Sequence, residues 1–517
     1  MMQHFSHLLD NLYEERTTKR RIRLFADYLD QVDLEDRGTA LSLLTGTTRL
    51  PKIKSAALLE ILKSRTDPVL LEHSRNFVSD VTEAIALSWP GSGDLQISLT
   101  EIVDRFVNSS ASRLALVTKW LDDLPHNQRW CLLKLVTGAL HGKSLGIDPD
   151  NARMALADLF YVSAQALAQA WCASEPPYRE LFQWLDDQAP KPVSEISKYL
   201  PVHPVISVDA PDNAFQPFTL SLAGPLVMVY RMGNEQRIVT LSGDDLTIQA
   251  HDLLQNARFE GVMIGSLAII QNGKALSHND LTRRLSRPKP TKKLTDELPL
   301  HFIALDYLHD GTTNLKSFPL HLRLGNLELQ IAKLDHPRFH FGPAIAAPVF
   351  DRKGLHGHPL KSITTGIWWR DQTRLCQHET HWFHQPFPPM QSHFILLYVE
   401  DKTDGTGKLC TIGVFPHEGN TPVPIGKCLV SANNPDSAAI AKYVKENLVQ
   451  KFGPVREITH TREQGFIIEV SYSGASASRR HKARLQLNDV GFVGLGLMIT
   501  PADLPELEEL QTELIDM

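Results

Sequence analysis

The stretch CQHETHWFHQ, residues 376–385, places one cysteine and three histidines close together in the sequence. On a helix, the spacing of Cys376, His378, His381 and His384 could bring three imidazoles to one face, and imidazole nitrogen is a common zinc ligand. Zinc sites usually also show paired cysteines or an HExxH sequence, and the chain contains neither. We therefore predict that these are surface histidines and that the chain has no metal site.

Basic residues form three separated clusters that could neutralise the charge of phosphate groups. The chain as a whole is acidic, with a formal net charge of −6, so nucleic-acid binding would have to rely on such local concentrations of charge. The clusters are Lys19, Arg20, Arg21 and Arg23; Arg283, Arg284, Arg287, Lys289, Lys292 and Lys293; and Arg479, Arg480, Lys482 and Arg484. A basic run is more often a solvated face than a binding site, so the clusters alone do not decide the function.

The composition is typical of a soluble globular protein, with 42% hydrophobic and 22% charged residues. A length of 517 residues exceeds what one core usually holds and indicates about three domains.

The five cysteines are scattered without a CxxC pair, so disulfides are not expected. The N-terminus lacks the apolar run of a signal peptide, and no apolar stretch approaches the ~18 residues of a membrane span. We expect a cytoplasmic protein without a membrane partner, with association with the nucleoid left open.

Two sequence patterns divide the chain into the elements that must position these residues. From Phe5 to about Asp187, apolar residues recur three and four positions apart, which predicts an all-helical domain. A proline-rich linker is predicted at 188–204, and after it short β-branched or alternating runs predict strands. Helices are predicted for NDLTRRL at 279–285 and for DSAAIAKYVKENLVQKF at 436–452, and the acidic stretch 501–517 predicts a short C-terminal helix.

Long phrases of the sequence resemble the bacterial ATP-dependent DNA ligases that carry an N-terminal DNA-binding domain. In the helical part they include RLFADYLDQVDLEDRGTALSLLTG and NQRWCLLKLVTGALHGKSLGIDPDNARMALA. In the middle part, DLTRRLSRPKPTKKLTDELPLHFIALDYLHDG is similar to the segment that contains a core strand of the family. In the last part, VQKFGPVREI and SYSGASASRRHKARLQL are similar to the closing half of the family's OB-fold domain. The resemblance spans nearly the whole chain.

The resemblance fails at the positions that carry the family's chemistry. Ligation requires a lysine amine that attacks the α-phosphate of ATP, carboxylates that hold a divalent metal, and further cations that neutralise phosphate charge. With SGDDLT as the anchor, the lysine position holds Ser221, the following aspartate position holds Ala223, and two arginine positions hold Leu226 and Leu241. The metal-side glutamate position holds Ser266. The glycines of the same motifs, Gly224, Gly243 and Gly265, are retained.

Two later motifs are also altered. The stretch HGHPLK matches a motif of glutamate, glycine and lysine, with His356 at the glutamate position and Lys361 retained. The stretch WWRDQ places Arg370 and Gln372 at two lysine positions. A serine without an adjacent base is a poor nucleophile, so Ser221 is not expected to replace the lysine.

The resemblance implies a multidomain fold with three parts. These are an all-α DNA-binding domain at 1–190, an α+β nucleotidyltransferase-like (ATP-grasp-like ligase) domain at 200–388, and a β-rich OB-fold domain with an acidic C-terminal helix at 389–517. The residues expected to contact DNA are Arg283, Arg284, Arg287, Lys292, Lys293, Arg479, Arg480, Lys482 and Arg484.

The function expected is that of a ligase-like pseudoenzyme that binds nicked or duplex DNA in repair, replication or recombination, with self-adenylation lost or very weak. No cofactor is assigned to it. One alternative is an active ATP-dependent ligase that uses a displaced lysine, Lys361 or Lys274, together with ATP and Mg²⁺. The other alternative is a non-catalytic scaffold that holds DNA-repair proteins.

Overall fold

The computed structural model describes residues 2–15, 17–67, 80–109, 112–140, 142–200, 205–207, 218–342, 344–345, 355, 358, 360, 363–369, 382–402, 406–477 and 482–515. The chain divides into two compact units. The first comprises Met1–Pro204 and Met228–Leu246, and the second comprises Val205–Val227 and Thr247–Met517. The three-domain boundaries implied by the sequence remain a prediction.

The first unit is helical from its first residues to Leu185, as the apolar spacing predicted. Its helices in the described residues are α1 Met2–Glu14, α2 Thr18–Gln31, α3 Leu34–Leu44, α4 Ser55–Lys63, α5 Val81–Ser88, α6 Leu99–Asn108, α7 Arg113–Asp123, α8 His126–Thr137, α9 Pro149–Phe160, α10 Ala164–Ala173 and α11 Arg179–Leu185. The side chains of Asp33, Ser98 and Asp148 each accept a hydrogen bond from the backbone N–H three residues later, which starts α3, α6 and α9. The apolar faces of the helices share one buried core.

Strand β3 Leu226–Met232 and its neighbour β4 Glu235–Thr240 follow the helical part in the sequence. Residues 228–246, which include most of β3 and all of β4, belong to the first unit. The turn after β4 is closed by the backbone N–H of Leu246, which donates to the carbonyl oxygen of Ile238 at 2.7 Å.

The second unit contains a sheet in the order β1-β11-β10-β2-β9. Its strands are β1 Val205–Ser207, β2 Phe218–Leu222, β9 Ala344–Ile345, β10 Thr364–Trp369 and β11 Trp382–Pro386. Strand β2 lies antiparallel to both β10 and β9, and β1 lies parallel to β11.

A second set of strands in this unit is centred on β7. Strand β5 Gly261–Gln271 pairs antiparallel with β7 Leu300–His309 and with β6 Lys274–Ala275, and β8 Phe339–Phe341 lies parallel to β7. Most of β5 and β7 is buried, which fits their nearly continuous apolar sequence. The helices of this part are α12 His278–Leu285, α13 Lys292–Glu297 and α14 Leu320–Leu334.

The last part of the second unit is rich in strands. They are β12 Met390–Asp401, β13 Gly407–Val414, β14 Val423–Ser431, β15 Leu448–Phe452, β16 Val455–Ile458, β17 Ile467–Tyr472, β18 Gly474–Ala477, β19 Leu485–Asn488 and β20 Gly491–Leu495. The long strand β12 pairs with β13, β16 and β17, and its apolar residues lie in a buried core with those of α15 Ser437–Glu446 and α16 Leu507–Ile515. Among the described residues, no helix has both the length and the apolar content needed to cross a bilayer.

One predicted helix is wrong at its C-terminal end. The segment 436–452 was predicted as helical throughout, but helix α15 ends at Glu446 and the residues LVQKF form strand β15. Asn447 leaves the helical conformation, and the turn at Gly453, with φ of 57°, lets Phe452 pair with Val455 of β16. Pairing within this hairpin therefore overrides the helical spacing of the segment.

Candidate functional site

Ser221, which the sequence resemblance places at the lysine position, lies in β2 opposite Gly366 of β10. It is 2% exposed, and its hydroxyl oxygen lies 3.1 Å from the hydroxyl oxygen of Thr365. The Thr365 hydroxyl donates to the Ser221 carbonyl oxygen at 3.2 Å, so the Ser221 hydroxyl is left to donate to Thr365. The register of β10 shifts between Thr364 and Gly366, and this bulge places Thr365 beside Ser221. The site is a closed pair of neutral hydroxyls.

An apolar cluster lies on the other face of β2. Leu220, Leu222, Ile363 and Ile367 belong to this buried cluster, together with Ala268 of β5, and Ser221 points away from it because side chains alternate along a strand. Ser221 is nevertheless almost fully buried. Burial disfavours a charged amine at this position, because it penalises the charged form of a side chain.

The backbone around Ala223 and Ser266 explains why the motif glycine Gly224 is retained. The backbone N–H of Ala223 donates to the carbonyl oxygen of Ile363 at 2.7 Å, which extends the pairing of β2. The Ser266 hydroxyl is 2% exposed and donates to the carbonyl oxygen of Gly224 at 3.3 Å. A Cβ on Gly224 would lie only 1.7 Å from the carbonyl oxygen of Leu267. Ser266, which the sequence resemblance places at the position of a metal-side carboxylate, thus binds the backbone.

The turn that contains Leu241 belongs to the first unit and has a structural partner there. Arg153 of α9 forms a bidentate ion pair with Asp244, with nitrogen–oxygen distances of 2.7 and 2.9 Å, and its side chain is 8% exposed. Gly243 has φ of 98°, and a Cβ there would lie 2.5 Å from the carbonyl oxygen of Ala168. Leu241 itself is half-buried and carries no charge. The retained residues of SGDDLT therefore hold the turn against α9 and α10.

The second basic cluster is mostly exposed. Arg287 and Lys289 lie between α12 and α13, and Lys292 and Lys293 begin α13; all four are exposed. In the described part of the chain, no carboxylate forms an ion pair with any of these four. Arg283 is also exposed, but it pairs with Glu297 at 2.9 Å.

Arg284 differs from its neighbours and corrects the expectation that it contacts DNA. Its side chain is fully buried, where it pairs with Asp252 and donates to the carbonyl oxygen of Gln249 at 2.6 Å. Burial lowers the pKa of the Arg284 guanidinium, and Asp252, which also pairs with Arg338 at 2.9 Å, opposes that shift. Arg284 faces the interior because the helical spacing of α12 places it on the same side as the buried Leu281.

The third basic cluster is partly described. Lys482 and Arg484 are exposed and flank the buried Ala483, while Arg479 and Arg480 lie outside the described residues. The side-chain amide of Gln511 on α16 donates to the carbonyl oxygen of Ala483 at 2.9 Å. Lys482 and Arg484 thus flank a buried residue whose backbone is held by α16.

Several other expected site residues fall outside the described part of the chain. These are His356, Lys361, Arg370 and Gln372, and with them Cys376, His378 and His381. His384 is described: it is half-buried against Trp368, with 4.4 Å between the ring centroids, and burial lowers the pKa of its imidazole. Within the described residues, no three His, Cys, Asp or Glu side chains come together in a group that could hold a metal ion.

The sequence reading missed a buried ion pair between β7 and α14. Asp306 and Arg323 are each 2% exposed and form a bidentate pair with nitrogen–oxygen distances of 2.9 and 3.0 Å. Arg323 also donates to the carbonyl oxygen of Phe318 at 2.7 Å. A signal was present, because a single aspartate within the apolar run LHFIALDYL requires a buried partner.

The comparisons with known proteins come from solved structures. No family model matches the chain, and no curated protein matches it. A mycobacterial DNA ligase D complexed with ATP and MES is 14% identical, with 59% of this chain and 98% of that chain covered and a TM-score of 0.30. The structure described as Pmar-Lig_Pre is 10% identical, with 95% and 99% covered and a TM-score of 0.45.

A structure from a study of Lig E DNA ligases is 11% identical, with 57% of this chain and 100% of that chain covered and a TM-score of 0.32. With identities of 10–14% and TM-scores of at most 0.45, these similarities do not establish the function of this chain. Two of these three structures are described as DNA ligases.

Proposed function

We propose that the chain is a DNA-binding protein of the ATP-dependent DNA ligase family that has lost the ability to adenylate itself, or nearly so. The observation that carries this proposal is the state of Ser221. Its side chain is buried and its hydroxyl is paired with Thr365, at the position where the family's chemistry requires an amine.

The chemical reason is the nature of the adenylation step. An amine lone pair forms the phosphorus–nitrogen bond while pyrophosphate leaves, and nearby cations stabilise the charge that develops on the phosphate. A neutral serine without a base cannot supply that lone pair efficiently. Ala223 and Ser266 also remove two carboxylates, so restoring the nucleophile alone would not restore the metal-binding part of the site.

The adenylation test uses the full-length protein with radiolabelled ATP and Mg²⁺, and an active ligase as the positive control. We expect no labelled protein after denaturing electrophoresis. A label that survives denaturation and is released by acid, as a phosphoramidate is, would overturn the proposal. Sealing of a nicked duplex would instead support the active-ligase alternative, and mapping of the adduct to Lys361 or Lys274 would identify its nucleophile.

DNA binding is proposed through contacts to phosphates, which are independent of base sequence. Support comes from the four exposed cations between Arg287 and Lys293, none of which has a carboxylate partner among the described residues. The exposed Lys482 and Arg484 add a second group of cations. We propose that these exposed cations of the second unit contact the phosphates of the duplex.

Changing Lys292 and Lys293 together to Ala tests this surface. We expect the affinity for a nicked duplex to fall about tenfold, similarly for unrelated base sequences, because phosphate contacts are lost. Fluorescence anisotropy with a labelled duplex measures the change, and Lys333→Ala, an exposed lysine on α14, is the matched control. Equal affinities of the wild type and the double variant would exclude this surface. The absence of any duplex binding by the wild type would favour the scaffold alternative.

A further inference from the structure

Among the described residues, strand β15, Leu448–Phe452, ends the strand order β14-β13-β12-β16-β15 and pairs only with β16. All five of its residues are exposed. Three of them are large and apolar, and they are unusually exposed for such residues: Leu448 at 48%, Val449 at 62% and Phe452 at 51%. The strand therefore presents both an open backbone edge and an apolar surface.

Open edges of this kind are normally protected. Proteins place charges, prolines or bulges on them, because unpaired N–H and C=O groups invite pairing with another chain. Here the register shift between Leu448 and Gln450 affects only the beginning of the strand, and Gln450 to Phe452 pair regularly with Glu457 to Val455. Lys451 is the single charged residue of the strand. Protection is thus weak where the edge is most regular.

The charges next to the strand are mainly positive. Lys442 and Lys445 lie on α15, which ends one residue before β15, and both are exposed together with Lys451. None of these three lysines is in an ion pair in the part of the chain that the structure describes. Glu446 is the one exposed carboxylate between them. From 442 to 452 the surface therefore combines an apolar strand with an excess of positive charge.

We propose that β15 is a docking site for an extended acidic segment of a partner protein, which adds to the sheet as one more strand. The partner's backbone would pair with the open edge, its apolar side chains would cover Val449 and Phe452, and its carboxylates would face the lysines. Pairing of this type obtains affinity from main-chain hydrogen bonds and specificity from alternate side chains.

Two other occupants fit the surface less well. A second copy of this chain would bring another Lys451 close to the first across an antiparallel pair, and like charges near one another in a sheet are destabilising. A nucleic acid could contact the lysines, but its phosphates accept hydrogen bonds and cannot satisfy the carbonyl oxygens of the edge. A peptide backbone supplies both donors and acceptors.

The test uses a capped, fluorescein-labelled peptide that alternates valine with glutamate, added to the full-length protein and followed by fluorescence anisotropy. We expect saturable binding that is at least tenfold weaker for the same peptide with lysine in place of glutamate. Methylation of every other backbone nitrogen of the peptide, in each of the two possible registers, should abolish binding in one register. Such a loss reports a main-chain hydrogen bond rather than a general charge effect.

Variants of the protein locate the site. Val449→Glu and Lys451→Glu should each weaken peptide binding at least tenfold, and both positions are exposed, so the variants should melt at the wild-type temperature. Leu497→Glu is the matched control, because Leu497 is 80% exposed in the same part of the chain but lies outside β15. Its affinity for the peptide should be that of the wild type.

Four results would overturn the proposal. They are no binding at millimolar peptide, equal binding of the lysine peptide, binding that Val449→Glu leaves unchanged, and self-association of the protein that Val449→Glu abolishes. Duplex binding is measured on the same variants and should be unchanged in Val449→Glu. If that variant lost duplex affinity as strongly as peptide affinity, the edge would serve nucleic acid and the peptide assignment would be wrong.

Discussion

Ser221 and Arg284 show that the place of a residue in a sequence motif does not by itself fix its role. By the sequence resemblance Ser221 falls at the nucleophile position, but its side chain is buried and its hydroxyl is paired with that of Thr365. Arg284 belongs to a basic run, but it is buried against Asp252. In both cases the neighbouring residues decide the role of the side chain. The contacts of Ser221 indicate a structural role rather than a catalytic one, and those of Arg284 indicate a structural role rather than phosphate binding.

Ser221→Lys should destabilise the protein without restoring adenylation. An amine at this position would replace a side chain that is only 2% exposed, without a carboxylate at positions 223 or 266, so we expect the free energy of unfolding to fall by about 2–4 kcal/mol. Urea denaturation followed by circular dichroism measures the loss.

Ser221→Ala is the control for this variant, and it should cost no more than about 1 kcal/mol because it removes only one neutral hydrogen bond. A Ser221→Lys protein as stable as the wild type would show that the side chain reaches solvent. An adenylated Ser221→Lys protein would show that the remaining groups suffice for catalysis.

At the scale of elements, the parallel pairing of β7 and β8 joins two histidines. Nδ1 of His301 lies 2.9 Å from Nε2 of His340, and the two ring planes differ by 14° with 5.1 Å between the centroids. Rings this close to coplanar, joined nitrogen to nitrogen, share one proton in a hydrogen bond. A second proton would set two N–H groups against each other.

This pair should make the stability of the protein depend on pH. Burial, followed by the neighbouring His340 and Arg338, lowers the pKa of His301 from 6.5 to about 4, and burial also lowers the pKa of His340. The unfolded chain therefore binds a proton at a higher pH than the folded chain. The stability contributed by neutral His301 should be complete above about pH 6.5 and should be lost as the pH falls through about 4.

Unfolding by urea at several pH values between these limits checks the expectation. His301→Gln should show a smaller loss of stability across this range than the wild type, because one titrating group is removed. His251→Gln, which changes an exposed histidine, should follow the wild-type curve. Parallel curves for His301→Gln and the wild type would contradict the assignment.

At the scale of the whole molecule, the net charge of −6 and the exposed cations have opposite signs. A uniformly acidic protein would be repelled by DNA, so binding has to occur where cations are concentrated and must weaken as salt screens them. The four exposed cations from Arg287 to Lys293 form the largest such concentration among the described residues that lacks carboxylate partners.

The affinity for duplex DNA should therefore depend strongly on salt. If these four cations each neutralise one phosphate, raising monovalent salt from about 50 to about 200 mM should weaken binding about 100-fold. Changing Lys292 and Lys293 to Ala should reduce the slope of log affinity against log salt by about two. An affinity that does not respond to salt would show that binding does not rest on phosphate contacts.

The sequence by itself determined the helical first part, most strands of the second part and the neutral residues at the ligase motif positions. These follow from local patterns: three- and four-residue apolar spacing in helices such as α1 and α8, β-branched runs in β5 and β7, and side-chain types at fixed separations. Such features need no knowledge of distant residues.

Only the tertiary structure decided that Ser221 is closed off by Thr365, that Arg284 is buried, and that residues 448–452 form an edge strand rather than the end of a helix. The first two outcomes depend on partners far away in the sequence, Thr365 for Ser221 and Asp252 for Arg284, and the third depends on the pairing of β15 with the adjacent strand β16. Local propensities differ by less than such pairings contribute, so the pairing decides the conformation and the exposure of these residues.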